Sequence, residues 1–226
     1  MSNEIPLSSK KTIFRLSPSS LSLMKECSRC FWLTQHNIWR RPASIFPSLP
    51  SGMDKILKNH FDRFIGKGIL PPELCENLEC KEITLFKDKN LLRIWQNNRK
   101  GILWGDENGN ELHGAVDNIL VKGDKLIVLD YKTRGYELKE DTAKYYQNQL
   151  DIYNFLLRKI GYKTENFGFL LFYVPKEVLI TGEVIFDTTL KKMDIDVKNA
   201  EEIWNNALIL LNNECPKKKC EWCSGI

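Results

Sequence analysis

Asp117, Asp130 and Lys132 set two carboxylates and an amine within sixteen positions of one another, and the residues around them say which can share a face. Ala115 to Val121 and Leu126 to Tyr131 are apolar runs on either side of Lys122-Gly123-Asp124, and a Gly-Asp pair between β-forming runs is a hairpin signal. The pattern predicts two adjacent antiparallel strands, the first carrying Asp117 and the second ending in Asp130-Tyr131-Lys132. Strand side chains alternate, so Asp130 and Lys132 project to one side and Tyr131 to the other. Leu126 to Leu129 are unbroken apolar residues, as expected of a central strand covered on both faces. An acid and an amine at the end of such a strand are costly unless they pair with each other or hold a cation. Two carboxylates suit Mg²⁺ or Mn²⁺, which leave coordination positions for phosphate oxygens, and a nearby ammonium can orient water and offset transition-state charge. That chemistry is phosphodiester hydrolysis; the bland alternative is a structural ion pair on a sheet.

Asp141 or Thr142 is positioned to cap a helix that runs to about Ile160 and stops at Gly161. Gln149 and Tyr153 are four apart and lie on one face of it. In this order and spacing, Gly114-x-x-Asp117, Asp130-x-Lys132 and Gln149-x-x-x-Tyr153 resemble the motifs of the PD-(D/E)XK nuclease superfamily, in its RecB-like branch. That branch includes nuclease domains of bacterial recombination enzymes and CRISPR-associated adaptation exonucleases. The resemblance implies an α/β fold with a restriction-endonuclease-like core, a mixed central β-sheet flanked by helices, and metal-dependent hydrolysis of DNA. It further implies that Asp117, Asp130 and the backbone carbonyl of Tyr131 hold Mg²⁺ or Mn²⁺, that Lys132 acts on the attacking water, and that Gln149 and Tyr153 border the site. Relatives often place a metal-binding histidine on an early helix. His60 is the candidate, although it lies eight residues after Gly52 rather than one turn after a glycine; Asp54 or Asp62 could equally face the site, and His60 could simply lie at the surface.

The remaining elements must position these groups. Residues 1 to 14 read as a loose tail in which Lys10-Lys11 is either a phosphate contact or, as such pairs usually are, simply solvated. Ser17 and Pro18 open a helix expected to continue through Cys27-Ser28-Arg29-Cys30 to Leu33. Three prolines between residues 37 and 50 make a strap, and Ser51 is expected to cap a helix from Gly52 to about Ile65 with Met53, Ile56, Leu57, Phe61 and Phe64 on its apolar side. One or two strands are expected between Ile83 and Trp104, then a hairpin turn at residues 106–110 leading into the Asp117 strand. Phe167 to Val174 and Val178 to Phe186 read as strands joined by a turn at Pro175-Lys176-Glu177, and a last helix runs from about Asp194 to Asn212. The whole, 1–226, reads as one nuclease-like domain with a cysteine-bearing tail over 214–226.

Cys27-x-x-Cys30 and Cys220-x-x-Cys223 offer four thiolates from opposite parts of the chain, enough to close a metal site. Some RecB-like nucleases hold a four-iron, four-sulfur cluster with one N-terminal and three C-terminal cysteines; the resemblance maps that set onto Cys27, Cys215, Cys220 and Cys223. The two Cys-x-x-Cys pairs form a rival set that suits Zn²⁺ equally well by count. Cys75 and Cys80 read as ordinary thiols.

The chain has 33 basic and 29 acidic residues, a net charge of +4, mildly compatible with a nucleic-acid partner and no more. No apolar run approaches a membrane span, and the first thirty residues lack the apolar core of a signal peptide. The reading is a cytoplasmic nuclease acting on single-stranded or duplex DNA in repair, recombination or CRISPR- or phage-related processing. Its rivals are a DNA-binding or scaffold module that keeps the fold without catalysis, and an iron–sulfur protein whose cluster is its function.

Overall fold

The computed structural model describes residues 12–43, 47–75 and 77–226. Most of the expected loose tail, with Lys10 and Lys11, lies outside the described residues. Its end is not loose: Phe14 is buried, and its N–H donates to Asn110 Oδ1 at 3.1 Å. β1 (Arg15–Leu16) follows. Ser17 then caps α1 (Pro18–Glu26) reciprocally, its Oγ accepting from the Ser20 N–H while Ser20 Oγ accepts from the Ser17 N–H; Pro18 takes a first-turn position where no N–H is needed.

The single helix expected through Leu33 is two. Cys27 is extended, with φ −158° and ψ 107°, and it ends α1 while its Sγ caps α2 (Ser28–Gln35). Residues 44–46 of the strap lie outside the described residues. α3 (Ser48–Asp62) starts four residues earlier than expected and without a side-chain cap; Pro50 is tolerated because it lies in the first turn. Leu57 and Phe61 of its expected apolar side are buried, whereas Ile56 is exposed.

A short α4 (Pro72–Cys75) and a 3₁₀ turn over Leu78–Cys80 lead to β2 (Ile83–Leu85). Between this strand and the next lies a helix that was not expected, α5 (Lys89–Trp95), whose first N–H groups are held by the Asp88 carboxylate. β3 (Ile102–Gly105) and β4 (Glu111–Gly114) form the hairpin turned by residues 106–110, which leads to β4 and not to a strand carrying Asp117. β5 (Asn118–Lys122) and β6 (Lys125–Thr133) pair antiparallel, as the Lys122-Gly123-Asp124 turn requires; Gly123 has φ +61°.

Asp141 and Thr142 open only a 3₁₀ turn, Thr142–Tyr146; α6 (Gln147–Lys159) continues from it with no side-chain cap and ends before Gly161, at φ +93°. β7 (Phe167–Val178) runs straight through the expected turn at Pro175, which instead marks a register shift against β8 (Val184–Asp194). A proline, lacking an N–H, is tolerated where the ladder is already irregular. α7 (Val197–Asn212) is capped by Asp196, and a 3₁₀ turn covers Glu221–Cys223.

The architecture is mixed α/β. Five strands lie in the order β2-β5-β6-β7-β8, antiparallel except for the β6–β7 pair, and a smaller sheet is ordered β1-β4-β3. Parallel neighbours need a crossover, and α6 supplies it between β6 and β7. β6 is the buried centre, Leu126 through Tyr131, with β7 beside it contributing Phe169–Tyr173. α6 covers one face with Leu150, Ile152 and Leu156, and α3 covers the other with Phe61 against the Tyr131 ring, centroids 4.7 Å apart. The sheet thus presents Asp130 and Lys132 towards α6 and Tyr131 towards α3, the alternation its sequence dictates. No helix among the described residues is long and apolar enough to cross a membrane.

Candidate metal and nucleic-acid site

Asp117 stands in the bend between β4 and β5 rather than on a strand. The chain passes there from one sheet to the other. The bend is held by Gln96 Nε2, which donates to the Asp117 carbonyl at 2.7 Å, and by the Val116 N–H, which donates to Trp95 O at 3.1 Å. Asp117 Oδ2 accepts from the Tyr131 N–H at 2.8 Å, so the bend is stitched to the end of β6 beside Asp130. The next residue repeats the stitch on the other face: Asn118 Nδ2 donates to Tyr131 Oη at 2.8 Å.

On the α6 face, Asp130 and Lys132 form an ion pair. The Lys132 ammonium also donates to Gln149 Oε1 at 3.0 Å, and Gln149 Nε2 donates to Tyr153 Oη at 2.7 Å. The Tyr146 ring lies 4.5 Å from the ammonium. Five of the sequence-derived candidates are therefore gathered at one place: Asp117 from the bend, Asp130 and Lys132 from β6, Gln149 and Tyr153 from α6. Gly114 makes room for this arrangement, because a Cβ at its position would stand 2.7 Å from the Tyr153 ring. Beyond Tyr153 lies a cleft of about 210 Å³ bordered by Gln149, His113, Asn98 and Ser17.

His60 belongs to a different cluster. Its Nε2 lies 3.1 Å from the Glu73 carboxylate, which also accepts from Tyr173 Oη at 2.9 Å, and its ring packs against Phe61 and Phe64. The α3 residue that reaches the carboxylates is Lys58, two positions earlier and so on another side of the helix. Its Nζ is 3.2 Å from Asp117 Oδ1 and 2.8 Å from Asp54 Oδ1. Asp54-x-x-x-Lys58 has the i,i+4 spacing of a helical ion pair, a signal present in the sequence that points to the pair but not to its third member.

The electrostatics fit a cation. Burial, then the charge of Asp130, pushes the Asp117 carboxyl up to about 7 despite Lys58 and Lys132. Burial also raises Asp130, against the pull of Lys132. Asp130 Oδ2 is buried and makes no well-aligned hydrogen bond, although the Lys132 ammonium is near it. Two buried carboxylates that resist ionisation beside each other, one with an incompletely satisfied oxygen, form a donor set that a hard divalent ion can complete.

A second constellation lies at the start of α2. The sulfurs of Cys27, Cys30, Cys220 and Cys223 all fall within 4.8 Å of one another. Cys27–Cys223 is 4.0 Å, Cys30–Cys220 3.4 Å and Cys220–Cys223 3.8 Å. Cys215 stands outside this set, its sulfur accepting from Arg29 Nη1 at 3.2 Å. The two Cys-x-x-Cys pairs thus come together, in place of the set of Cys27 with Cys215, Cys220 and Cys223. Burial pushes Cys30 up to about 12, whereas at Cys220 the raising effect of burial is outweighed by the Cys223 N–H and the neighbouring thiols, leaving it at about 6. Four thiols arranged so can hold a metal ion.

The family model of the PD-(D/E)XK nuclease superfamily matches residues 72–225. One solved structure, described as the crystal structure of SSO0001, is similar with a TM-score of 0.40 at 16% sequence identity, over 96% of this chain and 86% of that one, a likeness too distant to add to the family match. No curated protein matches the chain.

Proposed function

The chain belongs to the PD-(D/E)XK nuclease superfamily, and from that premise we propose that 1–226 is one nuclease domain that hydrolyses DNA phosphodiesters with Mg²⁺ or Mn²⁺, in DNA repair, recombination or CRISPR- or phage-related processing. The observation that carries this reading is the unbroken run of contacts from Lys58 and Asp117 through the Tyr131 N–H to Asp130, Lys132, Gln149 and Tyr153. Structural ion pairs need no such relay, and buried ones add little stability.

Asp117, Asp130 and the backbone carbonyl of Tyr131 would hold the divalent ion, which supplies Lewis-acid polarisation of the scissile phosphate. Lys132, fixed between Asp130 and Gln149, donates to the attacking water and orients it, while its charge offsets the negative charge that grows on the phosphate. Gln149 and Tyr153 keep Lys132 aimed and face the cleft into which the strand leads. The water oxygen adds to phosphorus as the ester P–O bond breaks, and the departing oxygen takes up the proton.

At the cysteines the proposed occupant is Zn²⁺. A Zn–S bond of about 2.3 Å places the corners of a tetrahedron about 3.8 Å apart, close to the sulfur separations of 3.4, 3.8 and 4.0 Å. A four-iron cluster, which must lie between its ligands, needs a wider set. Metal analysis of purified protein should give close to one zinc per chain and no iron-dependent colour; a brown, iron-loaded protein overturns the zinc assignment.

The nuclease reading is tested by cleavage of end-labelled single-stranded and duplex DNA with Mg²⁺, Mn²⁺ or EDTA, beside Lys132→Ala. Metal-dependent cleavage lost in the variant is the expected result. Binding without cleavage under every metal refutes it in favour of a scaffold that keeps the fold, and a fully active Lys132→Ala refutes the mechanism built on Lys132.

A further inference from the structure

Resting on the nuclease reading, we propose that Lys58 is a built-in cation of the centre, whose ammonium takes the place beside Asp117 that a second divalent ion would otherwise fill. Two-ion phosphodiester-cleaving centres hold their ions about 3.5–4 Å apart and clamp both the attacking and the leaving oxygen. Here the outer side of Asp117 is already taken. Oδ1 faces Lys58 Nζ at 3.2 Å, and Asp54 Oδ1, one helical turn back, holds the same ammonium at 2.8 Å. Oδ2 accepts from the Tyr131 N–H at 2.8 Å on the side of Asp130. Each carboxylate oxygen retains a further lone pair, so Asp117 can still ligate an ion between itself and Asp130 while Lys58 stays where it is.

The charges agree with a single ion. Asp54, Asp117 and Asp130 against Lys58 and Lys132 leave one net negative charge. One divalent ion converts this to a net positive charge that attracts a phosphodiester, and a second would crowd positive charge around Lys58. Removing the Lys58 charge leaves two net negative charges and an open flank on Asp117, the composition of a two-ion site.

A purely structural role for Lys58 is not needed. α3 is already anchored by Leu57 and Phe61, both buried, and by the tilted packing of the Phe61 ring against Tyr131. The Lys58 side chain keeps about a fifth of its surface exposed, on the side where Asp54 opens to solvent, so it can meet a bound phosphate. As a fixed positive charge it would stabilise the oxygens of the phosphate as charge builds on them, without gaining or losing a proton.

The test counts ions rather than turnover alone. Mn²⁺ is titrated into wild type, Lys58→Met, Lys58→Arg and the Asp117→Asn/Asp130→Asn double variant, and the free ion is followed by electron paramagnetic resonance; the double variant gives the background from other sites. Thermal melts establish that each variant is folded. Wild type and Lys58→Arg should each take up one Mn²⁺ above background, and Lys58→Met should take up two, with cleavage rising as about the second power of Mn²⁺ concentration instead of the first. Two ions in wild type, or one ion of unchanged affinity in a folded Lys58→Met, overturns the role of Lys58 while leaving the nuclease standing. No uptake in wild type together with intact DNA refutes the nuclease reading itself, a different outcome from either.

Discussion

The two buried carboxylates make the metal-free protein pH-sensitive in an unusual direction. Asp117 lies at about 7 in the folded chain against an ordinary value of 3.8. Between those values the folded state binds more protons than the unfolded one, so stability falls as pH rises, the opposite of the usual salt-bridged aspartate. A tenfold ratio is ~1.4 kcal/mol, so Asp117 withholds about 4 kcal/mol at pH 8 and somewhat under 2 kcal/mol at pH 5. Asp130 is shifted in the same direction and adds to the trend. The perturbation is Asp117→Asn, which keeps an oxygen for the Tyr131 N–H and leaves Lys58 its partner Asp54. With Mg²⁺ and Mn²⁺ removed by desalting, urea midpoints should show the variant more stable than wild type at pH 8 by on the order of 2–4 kcal/mol, the gap narrowing by roughly 2.5 kcal/mol at pH 5. Mg²⁺ at about a hundred times its dissociation constant should then restore roughly 2.7 kcal/mol to wild type at pH 8, and much less to the variant. A variant no more stable than wild type at pH 8, or a difference independent of pH, would refute the claim that these carboxylates await a cation.

Three further outcomes follow from the packing. Gly114→Ala puts a methyl into the Tyr153 ring; it should lose about 1–3 kcal/mol in thermal or urea unfolding and lower cleavage more than it lowers DNA binding, because the Gln149–Tyr153 bond is displaced. Asp151 is fully buried and accepts from Gln147 Nε2, the Asp196 N–H and Asn199 Nδ2 at 2.8, 2.9 and 2.7 Å; Asp151→Ala strands these donors and should cost about 2–4 kcal/mol by denaturant melting, and an unchanged midpoint would show the junction of α6 and α7 to be held otherwise. Cys75 is exposed, while burial and then Glu79 push Cys80 up to about 11; mass spectrometry after brief alkylation of native protein at pH 7.5 should find the label on Cys75 and none on Cys80.

The sequence was most legible where local pattern and burial agreed. The Gly123 turn and the apolar run before Asp130 specify β5 and β6 and place Asp130 and Lys132 on one face, because a strand has only two faces. Gln149 and Tyr153 were similarly forced together by helical spacing. Elements shaped by longer-range packing were not legible. α5 is seven residues long, too short for periodicity to separate it from a strand, and its one clear sign was Asp88 as a cap. Pro175 looks like a turn residue, and only the irregular pairing of β7 with β8 explains how a strand passes through it. Lys58 could be paired with Asp54 by spacing, but the approach to Asp117 depends on how α3 lies across the sheet, which no local pattern encodes. The choice among five C- and N-terminal cysteines was likewise a matter of how the chain ends meet.

That meeting sets a timetable. Cys30 and Cys220 are 190 positions apart, and a ribosome adding about 5–20 residues per second takes roughly 10–40 s to cover that distance. For that interval the first thiol pair is present without its counterpart, and α1 and α2 wait for α7, against which both pack in the finished fold. α1 and α2 are therefore made well before the helix that fastens them. The four-thiol arrangement that can hold a metal ion exists only once Cys220 and Cys223 reach Cys27 and Cys30.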